Sequence, residues 1–485
     1  MASTSRTRVD LSGARVAVAG LGASGKAALE VLGTLGMDAL GVDHSEAAIE
    51  AAAEQHLPGR LAHATSDEDF ADLATRDRDI VVVSPGITPH TPLYARAAER
   101  GVEVISEIEL AWRVQAPKAD GSFAPWLTLT GTNGKTTTVT MTSAILTSAG
   151  LVAPAIGNVG TPAVLVAARG GVDALPAELS SFQLHSTSSV RALASACLNI
   201  DDDHLDWHGS AAAYAAAKAR VHRGTLRACL YSRHDDATRQ MVEEADVTEG
   251  ARAISIGTDT PPLAGLGLVE DMLVDRAYHA ERHTQGVELA TLADLAHLAP
   301  GGSLPGHVVI DALFAAGLAR AADVPPEAIA AGLRSFAPGA HRIETIAEID
   351  GVRYINDSKA TNAHAARASL TGMADGSVVW IAGGLAKGAR FEELVADVRP
   401  KLKAAVLIGV DQEPLATALA AEAPEIPVRV IDPAHRSVMA AAVAAARELA
   451  GKGDTVMLAP ACASMDQFAN YALRGEEFAT AVRNG

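Results

Sequence analysis

Short apolar runs alternate with alanine-rich stretches of helical character along the whole chain, and this alternation restricts the possible folds more than any other feature of the sequence. Strands that alternate with helices form βαβ units, whose strands lie parallel in a sheet that helices cover on both faces. The sequence therefore predicts an α/β fold built on parallel sheets. The apolar runs lie at 16–19, 80–83, 126–129, 378–382, 405–408 and 455–458.

Two stretches interrupt the alternation and mark expected domain boundaries. Residues 116–122 are polar and turn-prone, and residues 335–340 combine proline with glycine. At about 150 residues per domain, a chain of 485 residues is long enough for three domains. We expect these domains at 1–118, 119–337 and 338–485.

Charge and cysteine content restrict the partners and the compartment. The formal net charge of -18 repels nucleic acid and anionic membranes. Cys197, Cys229 and Cys462 form no C-x-x-C pair, which argues against a disulfide framework or structural zinc. Residues 1–11 lack the apolar core of a signal peptide, and no later stretch approaches the roughly 20 apolar residues that span a bilayer. These features predict a cytoplasmic protein without nucleic-acid or membrane partners.

A first glycine-rich loop follows the first apolar run. Gly20-Leu21-Gly22-Ala23-Ser24-Gly25 opens a helical pattern, and Asp43 ends the next strand, at about the distance that a dinucleotide-binding fold has. Glycines let the backbone approach a diphosphate at a helix N-terminus, so the pattern predicts a nucleotide site. Ser84-Pro85-Gly86 follows another strand, where such sheets bind ligands, although a strand-terminating turn gives the same pattern.

A second phosphate-binding loop follows the run at 126–129. Residues 130–137 read T-G-T-N-G-K-T-T and lead into a helical stretch. Backbone N–H groups of such a loop cradle a triphosphate, Lys135 would neutralise its terminal oxygens, and the Thr136 hydroxyl would reach magnesium. Leu129 stands where the full template has a glycine, so the motif is shortened.

Further along, three features are compatible with metal chemistry or with ordinary structure. Glu178 lies among apolar residues, where a carboxylate needs a cation such as magnesium unless it lies partly exposed at a helix start. Residues 199–206 hold many oxygen and nitrogen ligands, but an acidic turn also has this composition. Lys218 stands in an alanine-rich helix, and composition alone gives it no role.

Taken together, these segments resemble the Mur ligase family over nearly the whole chain, and the motifs come in the family's order. The resemblance implies a Rossmann-like first domain that binds a UDP-linked substrate, a central P-loop ATPase domain with a parallel sheet, and a C-terminal Rossmann-like α/β domain that binds an amino acid. It is closest to the members that add D-glutamate to UDP-N-acetylmuramoyl-L-alanine. The landmarks are 20–25, 84–86, 131–137, 157–160, 178–183, 203–204, Lys218, 341–344, 356–362 and 460–466.

The resemblance also implies roles for individual residues. ATP would be bound by Gly131, Thr132, Asn133, Gly134, Lys135, Thr136, Thr137, Arg342 and Asp357. Thr136 and Glu178 would hold one Mg²⁺, and His204 with a carbamylated Lys218 would hold a second. Catalysis would depend on Lys135, Glu178, His204 and Lys218. The UDP substrate would meet Gly22, Ser24, Asp43, Ser84, Gly86, Asn158 and His204. Glutamate would meet Lys359, Thr361, Lys387, Ser464, Met465 and Tyr471.

The implied reaction is ATP-dependent amide formation through an acyl phosphate. Two segments depart from the family pattern. Gly306–Asp311 lacks both asparagines of the element beside the adenine, which puts the adenine contacts in doubt. Ala23, His44 and Ser45 replace familiar uracil neighbours, so details of UDP binding do not transfer.

Three alternatives compete with this interpretation. An NAD-dependent oxidoreductase would explain the first glycine loop and Asp43 but not Lys135. A nucleotide switch of the P-loop class would turn over nucleotide without an amino acid. Another Mur ligase or a folylpolyglutamate synthetase would keep the mechanism and change the substrates, but the Asp-Asn-Pro-Arg element of diaminopimelate-adding relatives is missing.

Overall fold

The structure is a computed structural model that describes residues 11, 13–201, 203–299 and 304–484, with the backbone alone at Leu205 and Asp206. Asp202 of the acidic run lies outside the described residues. The chain divides into two compact units. The first comprises Met1–Thr291 with Asp311–Leu333, and the second comprises Leu292–Ile310 with Arg334–Gly485.

The first sheet has five parallel strands in the order β3-β2-β1-β4-β5. Its strands are β1 Arg15–Ala19, β2 Asp38–Asp43, β3 Arg60–His63, β4 Ile80–Val83 and β5 Glu103–Ser106. Its helices are α1 Ala23–Thr34, α2 Glu46–Glu54, α3 Asp67–Thr75, α4 Pro92–Arg100 and α5 Glu107–Val114. Strand order reverses between β1 and β4, and ligands bind at such a switch point in open α/β sheets.

The second sheet has nine strands in the order β14-β13-β12-β11-β10-β9-β6-β8-β7. They are β6 Trp126–Thr130, β7 Ile156–Gly157, β8 Leu175–Glu178, β9 Ala194–Cys197, β10 Ala228–Ser232, β11 Arg252–Ile256, β12 Gly265–Val269, β13 Met272–Asp275 and β14 Val287–Thr291. All pair in parallel except β12 with β13 and β13 with β14. These two antiparallel pairings were not predicted from the sequence.

Eight α-helices follow β6 in this part of the chain. They are α6 Lys135–Ser148, α7 Ala163–Arg169, α8 Ser181–His185, α9 Leu205–His208, α10 Ala211–Ala219, α11 Asp236–Glu243, α12 Gly306–Ala321 and α13 Pro326–Ser335. Short 3₁₀ helices lie at Arg220–His222, Leu292–Leu298 and Arg399–Lys401.

The third sheet lies in the second unit and has the order β15-β16-β20-β17-β18-β19, parallel except for β15. Its strands are β15 Glu344–Ile349, β16 Val352–Asn356, β17 Val378–Gly383, β18 Leu402–Ile408, β19 Val428–Val430 and β20 Thr455–Leu458. Its helices are α14 Ala363–Thr371, α15 Glu392–Val398, α16 Glu413–Glu422, α17 Val438–Leu449 and α18 Tyr471–Asn484.

The central strands are buried on both faces, which is why they read as continuous apolar runs rather than as alternating patterns. Every residue of β4, β6 and β17 is buried. The predicted α/β architecture is thus confirmed, with one sheet in each of the three predicted domains. The three cysteines are buried and form no disulfide. Within the part of the chain that the structure describes, no helix is long and apolar enough to cross a membrane.

Candidate active site

The loop between β6 and α6 has the shape that its glycines permit. Gly131 and Gly134 have φ angles of 156° and 79°, which residues with a Cβ rarely adopt. A Cβ on Gly134 would lie 2.3 Å from the Asp311 Oδ1 atom, so only glycine fits. The helix begins at Lys135, and its N-terminus therefore points the first backbone N–H groups into the loop, as anion binding requires.

Asn199 holds this loop from the neighbouring strand. Its Oδ1 atom accepts hydrogen bonds from Thr132 N at 3.1 Å and Asn133 N at 2.8 Å, and its Nδ2 atom donates to Asn133 O at 3.2 Å. The sequence predicts no role for Asn199 beyond membership in a run of possible metal ligands. Its actual partners lie 66 and 67 residues away, and local patterns carry no signal for such a contact.

Glu178 ends β8, directly beside β6, and is only 1% exposed. Thr136 Oγ1 donates to Glu178 Oε2 at 2.6 Å, and Asn158 Nδ2 donates to Glu178 Oε1 at 3.0 Å. The structure thus brings three predicted site residues together at the start of α6. A hydroxyl and a carboxylate in contact are oxygen ligands of the kind that magnesium prefers.

Two lysine side chains converge on one carbonyl oxygen of the loop. Lys135 Nζ donates to Gly131 O at 2.9 Å, and Lys218 Nζ donates to the same oxygen at 2.7 Å. Lys218 is 2% exposed and lies 4.7 Å from the centre of the Tyr214 ring. Burial, followed by the charge of Lys135, lowers the pKa of Lys218 to about 7. In a large fraction of the molecules, Lys218 therefore carries a neutral, nucleophilic amine at neutral pH.

His204 lies at the edge of this group. Its φ angle is 51°, its backbone N–H donates to Asp203 Oδ1 at 2.9 Å, and its ring centre lies 4.8 Å from that of Phe182. The side chain is 43% exposed, in contrast to buried Lys218. Among the described residues, no group of three or more histidine, cysteine, aspartate or glutamate side chains could hold a metal by itself.

The first glycine loop and Ser84 meet at the switch point of the first sheet. Ser84 Oγ donates to Gly20 O at 2.8 Å, and a Cβ on Gly25 would lie 1.9 Å from the same oxygen. Asp43 was predicted to face a nucleotide. Its Oδ2 atom accepts from Leu21 N at 2.6 Å and its Oδ1 atom from Ser45 N at 2.8 Å, so it shapes the loop itself. Among the other predicted residues here, Gly22 and Gly86 are exposed and Ser24 is half-buried.

The six residues assigned to glutamate lie after three neighbouring strands of the third sheet. Lys359 and Thr361 follow β16, Lys387 follows β17, and the remaining three follow β20, which lies between those strands. Lys359 Nζ lies 3.8 Å from the centre of the Tyr471 ring. Ser464 is buried and Met465 is exposed. The carboxyl ends of these strands share one edge of the sheet, so the structure gathers the predicted set there.

Sequence reasoning missed Arg474, which ties two of these segments together. This arginine is fully buried. Its Nε atom donates to Ser358 Oγ at 3.0 Å, its NH2 group to Ser358 O at 2.9 Å and its NH1 group to Cys462 O at 3.1 Å. Burial lowers the pKa of Arg474 to about 10, so the guanidinium stays charged. A buried cation with three well-formed hydrogen bonds fixes the loops after β16 and β20 relative to each other.

Arg474→Ala is expected to raise the KM for the amino-acid substrate at least about tenfold, because several buried acceptors lose their donor. The comparison of KM values with those of Arg474→Lys, which keeps the charge and part of the hydrogen bonding, measures the effect. Arg483→Ala removes an exposed arginine from the same helix and should leave KM unchanged. An unaltered KM in a folded Arg474→Ala protein would contradict this role.

Asp357 follows β16 and is buried. Its Oδ2 atom accepts from Ser369 Oγ at 2.5 Å and its Oδ1 atom from Ile343 N at 3.3 Å. Burial raises the pKa of Asp357 to about 7, although these hydrogen bonds and nearby Arg342 oppose the shift. Arg342 itself is half-buried. Between about pH 4, near the ordinary pKa of aspartate, and about pH 7, the native state therefore keeps a proton on Asp357 that the unfolded chain has released.

This pKa predicts a pH-dependent stability difference between wild type and Asp357→Asn. The raised pKa means that the native state binds more protons, so the aspartate destabilises the fold increasingly as pH rises from about 4 to about 7. The melting temperature of Asp357→Asn minus that of wild type should therefore be larger at pH 8 than at pH 5. Equal melting-temperature differences at both pH values would contradict the raised pKa of Asp357.

Comparison with known proteins identifies the class to which this fold and site belong. Three family models match in sequence: the Mur ligase MurD-like N-terminal domain at 14–106, the Mur ligase middle domain at 129–318, and the Mur ligase glutamate ligase domain at 341–462. The chain belongs to the Mur ligase family of ATP-dependent ligases.

Particular relatives match almost end to end. The UDP-N-acetylmuramoylalanine--D-glutamate ligase of Streptomyces avermitilis is 50% identical over 472 residues, which cover 97% of this chain and 98% of the relative. The protein of the same name from Thermobifida fusca is 46% identical over 482 residues, covering 98% and 99%. Among solved structures, a pseudomurein peptide ligase type C from Methanothermus fervidus aligns with a TM-score of 0.54 at 15% identity, covering 97% of this chain and 100% of that one. This last likeness concerns the fold alone.

Proposed function

We propose that this chain joins D-glutamate to UDP-N-acetylmuramoyl-L-alanine, using ATP and releasing ADP and phosphate, in the synthesis of the peptidoglycan precursor. The observation that carries the proposal is 50% identity, over 97% of this chain, to a relative named for that activity. The geometry supports it, because a phosphate loop, a buried carboxylate and two lysines lie together in one unit.

ATP binds through the loop between β6 and α6. Backbone N–H groups at the start of α6 hold the phosphates, and Lys135 leaves the Gly131 carbonyl to neutralise the terminal oxygens. The proposed ATP contacts are Gly131, Thr132, Asn133, Gly134, Lys135, Thr136, Thr137, Arg342 and Asp357.

Magnesium fits the oxygen pair of Thr136 and Glu178, whose side-chain atoms lie 2.6 Å apart. Because Mg²⁺ usually takes its other ligands from phosphates and water, a site with one protein carboxylate and one hydroxyl suits it. When bound, Mg²⁺ neutralises charge during phosphoryl transfer. A second Mg²⁺ is assigned to His204 and Lys218.

Carbamylation of Lys218 would make that second site chemically suitable. The neutral amine attacks carbon dioxide and loses one proton, which gives a carbamate with anionic oxygens, and these are better ligands for a hard cation than an amine. Burial and a pKa of about 7 for Lys218 favour the neutral form that this reaction needs.

The chemistry requires positioning rather than a covalent protein nucleophile. A carboxylate oxygen of the substrate's alanine attacks the γ-phosphorus of ATP, and ADP leaves with the bonding electrons, which gives an acyl phosphate. The glutamate amine adds to the acyl carbon, and the adduct loses phosphate and a proton to give the amide. Lys135 stabilises charge on the transferred phosphoryl group, and Glu178 holds Thr136 in place.

The UDP-linked substrate is assigned to the switch point of the first sheet together with Asn158 and His204, and glutamate to the carboxyl ends of β16, β17 and β20 in the third sheet. Two lysines and three hydroxyl groups suit a dicarboxylate, because charged hydrogen bonds to both ends give specificity that packing cannot. The UDP substrate meets Gly22, Ser24, Asp43, Ser84, Gly86, Asn158 and His204. Glutamate meets Lys359, Thr361, Lys387, Ser464, Met465 and Tyr471.

Binding of the UDP-linked substrate, ATP and glutamate is assigned to domains at 1–118, 119–337 and 338–485, respectively. The enzyme acts in the cytoplasm, where ATP and UDP-linked precursors are available. Three unpaired cysteines fit a reducing compartment.

Isotope transfer tests the proposed reaction. UDP-N-acetylmuramoyl-L-alanine labelled with ¹⁸O in its carboxylate should transfer one labelled oxygen to the released phosphate, because that oxygen bonds to phosphorus in the acyl phosphate. The measurement is mass spectrometry of phosphate and of the glutamyl product. Unlabelled phosphate from an active enzyme would exclude the acyl phosphate, and the absence of a glutamyl product would exclude the function.

A further inference from the structure

Helix α5 follows the last strand of the first sheet and carries two buried carboxyl groups that contact the first turn of α7 and the segment after α8. Glu107 is 2% exposed and Glu109 is fully buried. Neither residue belongs to the proposed substrate, ATP or metal sites. Carboxylates are costly to bury without partners, so their contacts identify what they do.

Glu107 caps a helix of the second sheet from outside. Its Oε1 atom accepts a hydrogen bond from Val164 N at 2.6 Å, at the first turn of α7. The N-cap residue of α7 is Pro162, which provides no side-chain cap. The carboxyl group of Glu107 therefore accepts from a backbone donor that the helix's own sequence leaves open, although burial raises the pKa of Glu107 to about 7.

The segment immediately before α7 contacts Glu178, the candidate magnesium ligand. Asn158 Nδ2 donates to Glu178 Oε1 at 3.0 Å, and Asn158 N donates to Glu178 O at 2.9 Å. A Cβ on Gly157 would lie 2.2 Å from Glu178 O, so the two segments are in close contact. Residues 158–162 thus run from the contact with Glu178 to the start of α7, which Glu107 holds.

Glu109 holds the segment on the other side of Glu178. Its Oε2 atom accepts from Ser188 N and Ser189 N, both at 2.9 Å, and its Oε1 atom accepts from Arg113 Nε at 2.9 Å. These serines follow α8, which begins three residues after Glu178. Helix α5 therefore fixes both chain segments that flank Glu178.

We propose that Glu107 is a positioning residue for the reaction: by capping α7 from the first sheet, it sets the 158–162 segment and, through Asn158, the orientation of the Glu178 carboxylate toward Mg²⁺. This inference rests on the proposed function, because it assigns Glu178 to Mg²⁺. It also gives the first sheet a direct mechanical connection to the ATP site, through β5 and α5.

Two conservative variants of Glu107 separate the effect of side-chain length from the effect of ionisation. Glu107→Asp keeps an ionisable carboxyl group but is one methylene shorter, so we expect it to fall short of Val164 N. Glu107→Gln loses the charge but keeps an oxygen acceptor at the same reach. The probe is a methylanthraniloyl derivative of ATP, and the measured quantity is the Mg²⁺ concentration that gives half-maximal nucleotide binding to the full chain.

Glu107→Asp is expected to raise this concentration about fivefold, comparable to the loss of one helix cap, and Glu107→Gln should stay within about twofold of wild type. Ser66→Ala, which removes the side-chain cap of α3 at Asp69 N, is the control for the loss of a helix cap elsewhere and should not shift this concentration. The proposal is overturned by an unshifted Glu107→Asp, by a shift in Glu107→Gln alone, or by wild-type nucleotide binding that does not depend on Mg²⁺.

This titration together with a separate assay of product formation distinguishes failure of the inference from failure of the proposed function. Nucleotide binding needs neither glutamate nor the UDP substrate. A wild-type protein that forms no glutamyl product would refute the function, and the Mg²⁺ titrations of the two variants would still decide whether Glu107 positions Glu178.

Discussion

Replacement of Glu178 by alanine is expected to lower kcat about a thousandfold, the size of effect seen when one main electrostatic stabiliser is removed from an active site. Glu178 is the buried carboxylate in contact with the Thr136 hydroxyl, and its loss removes the strongest oxygen ligand beside the phosphate loop. Phosphate release at saturating substrates measures kcat. Raising the Mg²⁺ concentration should recover only part of the activity.

Asp275→Asn is the matched control for Glu178→Ala, because Asp275 is also fully buried and pairs with Arg320 at 3.0 Å. It should lower the melting temperature and leave kcat of the folded protein within about threefold of wild type, since five strands separate β13, which ends at Asp275, from β8, which ends at Glu178. A Glu178→Ala protein with nearly normal kcat would contradict the assignment of Mg²⁺ to this carboxylate.

Lys218→Arg is expected to lower kcat by a similar factor of about a thousand, although it keeps a cation of similar length. The guanidinium stays protonated and does not react with carbon dioxide, so no carbamate forms beside Gly131. In wild-type protein, ¹³C-labelled bicarbonate should produce a carbamate signal in the ¹³C NMR spectrum, and Lys218→Arg should lack it.

Removal of carbon dioxide supplies the second test of Lys218. Wild-type activity should fall in degassed buffer and return on addition of bicarbonate, whereas the activity of Lys218→Arg should not respond. Tyr214→Phe keeps the ring that lies against Lys218 and should retain the carbamate signal. Full activity in Lys218→Arg would exclude carbamylation as a requirement.

The sequence predicted the parts of the fold and site that local patterns determine. Apolar runs between helical segments located β1, β4, β6, β17, β18 and β20. The G-K-T sequence after β6 predicted a phosphate loop because glycine conformations and the following helix are set within a few residues. The rule that ligands lie beyond the carboxyl ends of strands then brought distant motifs to common edges.

Contacts between residues far apart in sequence were not predictable from these patterns. Asn199 braces the phosphate loop, Arg474 bridges two loops of the third sheet, and Glu107 caps α7. Each pair is separated by 57 to 116 residues. Asp43 is a further example: its spacing predicts a nucleotide contact but gives no sign of the hydrogen bonds that its oxygens accept from Leu21 N and Ser45 N.

The active-site geometry also explains why Gly134 and Asp311 occur together. The Asp311 carboxylate is buried, and a Cβ on Gly134 would lie 2.3 Å from its Oδ1 atom.

The most direct test of the central claim compares the two isomers of glutamate. Purified protein is mixed with ATP, Mg²⁺ and UDP-N-acetylmuramoyl-L-alanine, and product mass and phosphate release are followed with D-glutamate or L-glutamate. The account predicts one phosphate released for each product heavier by one glutamyl residue, with D-glutamate only. Turnover with L-glutamate alone, or no product with either isomer from folded, ATP-binding protein, would contradict it.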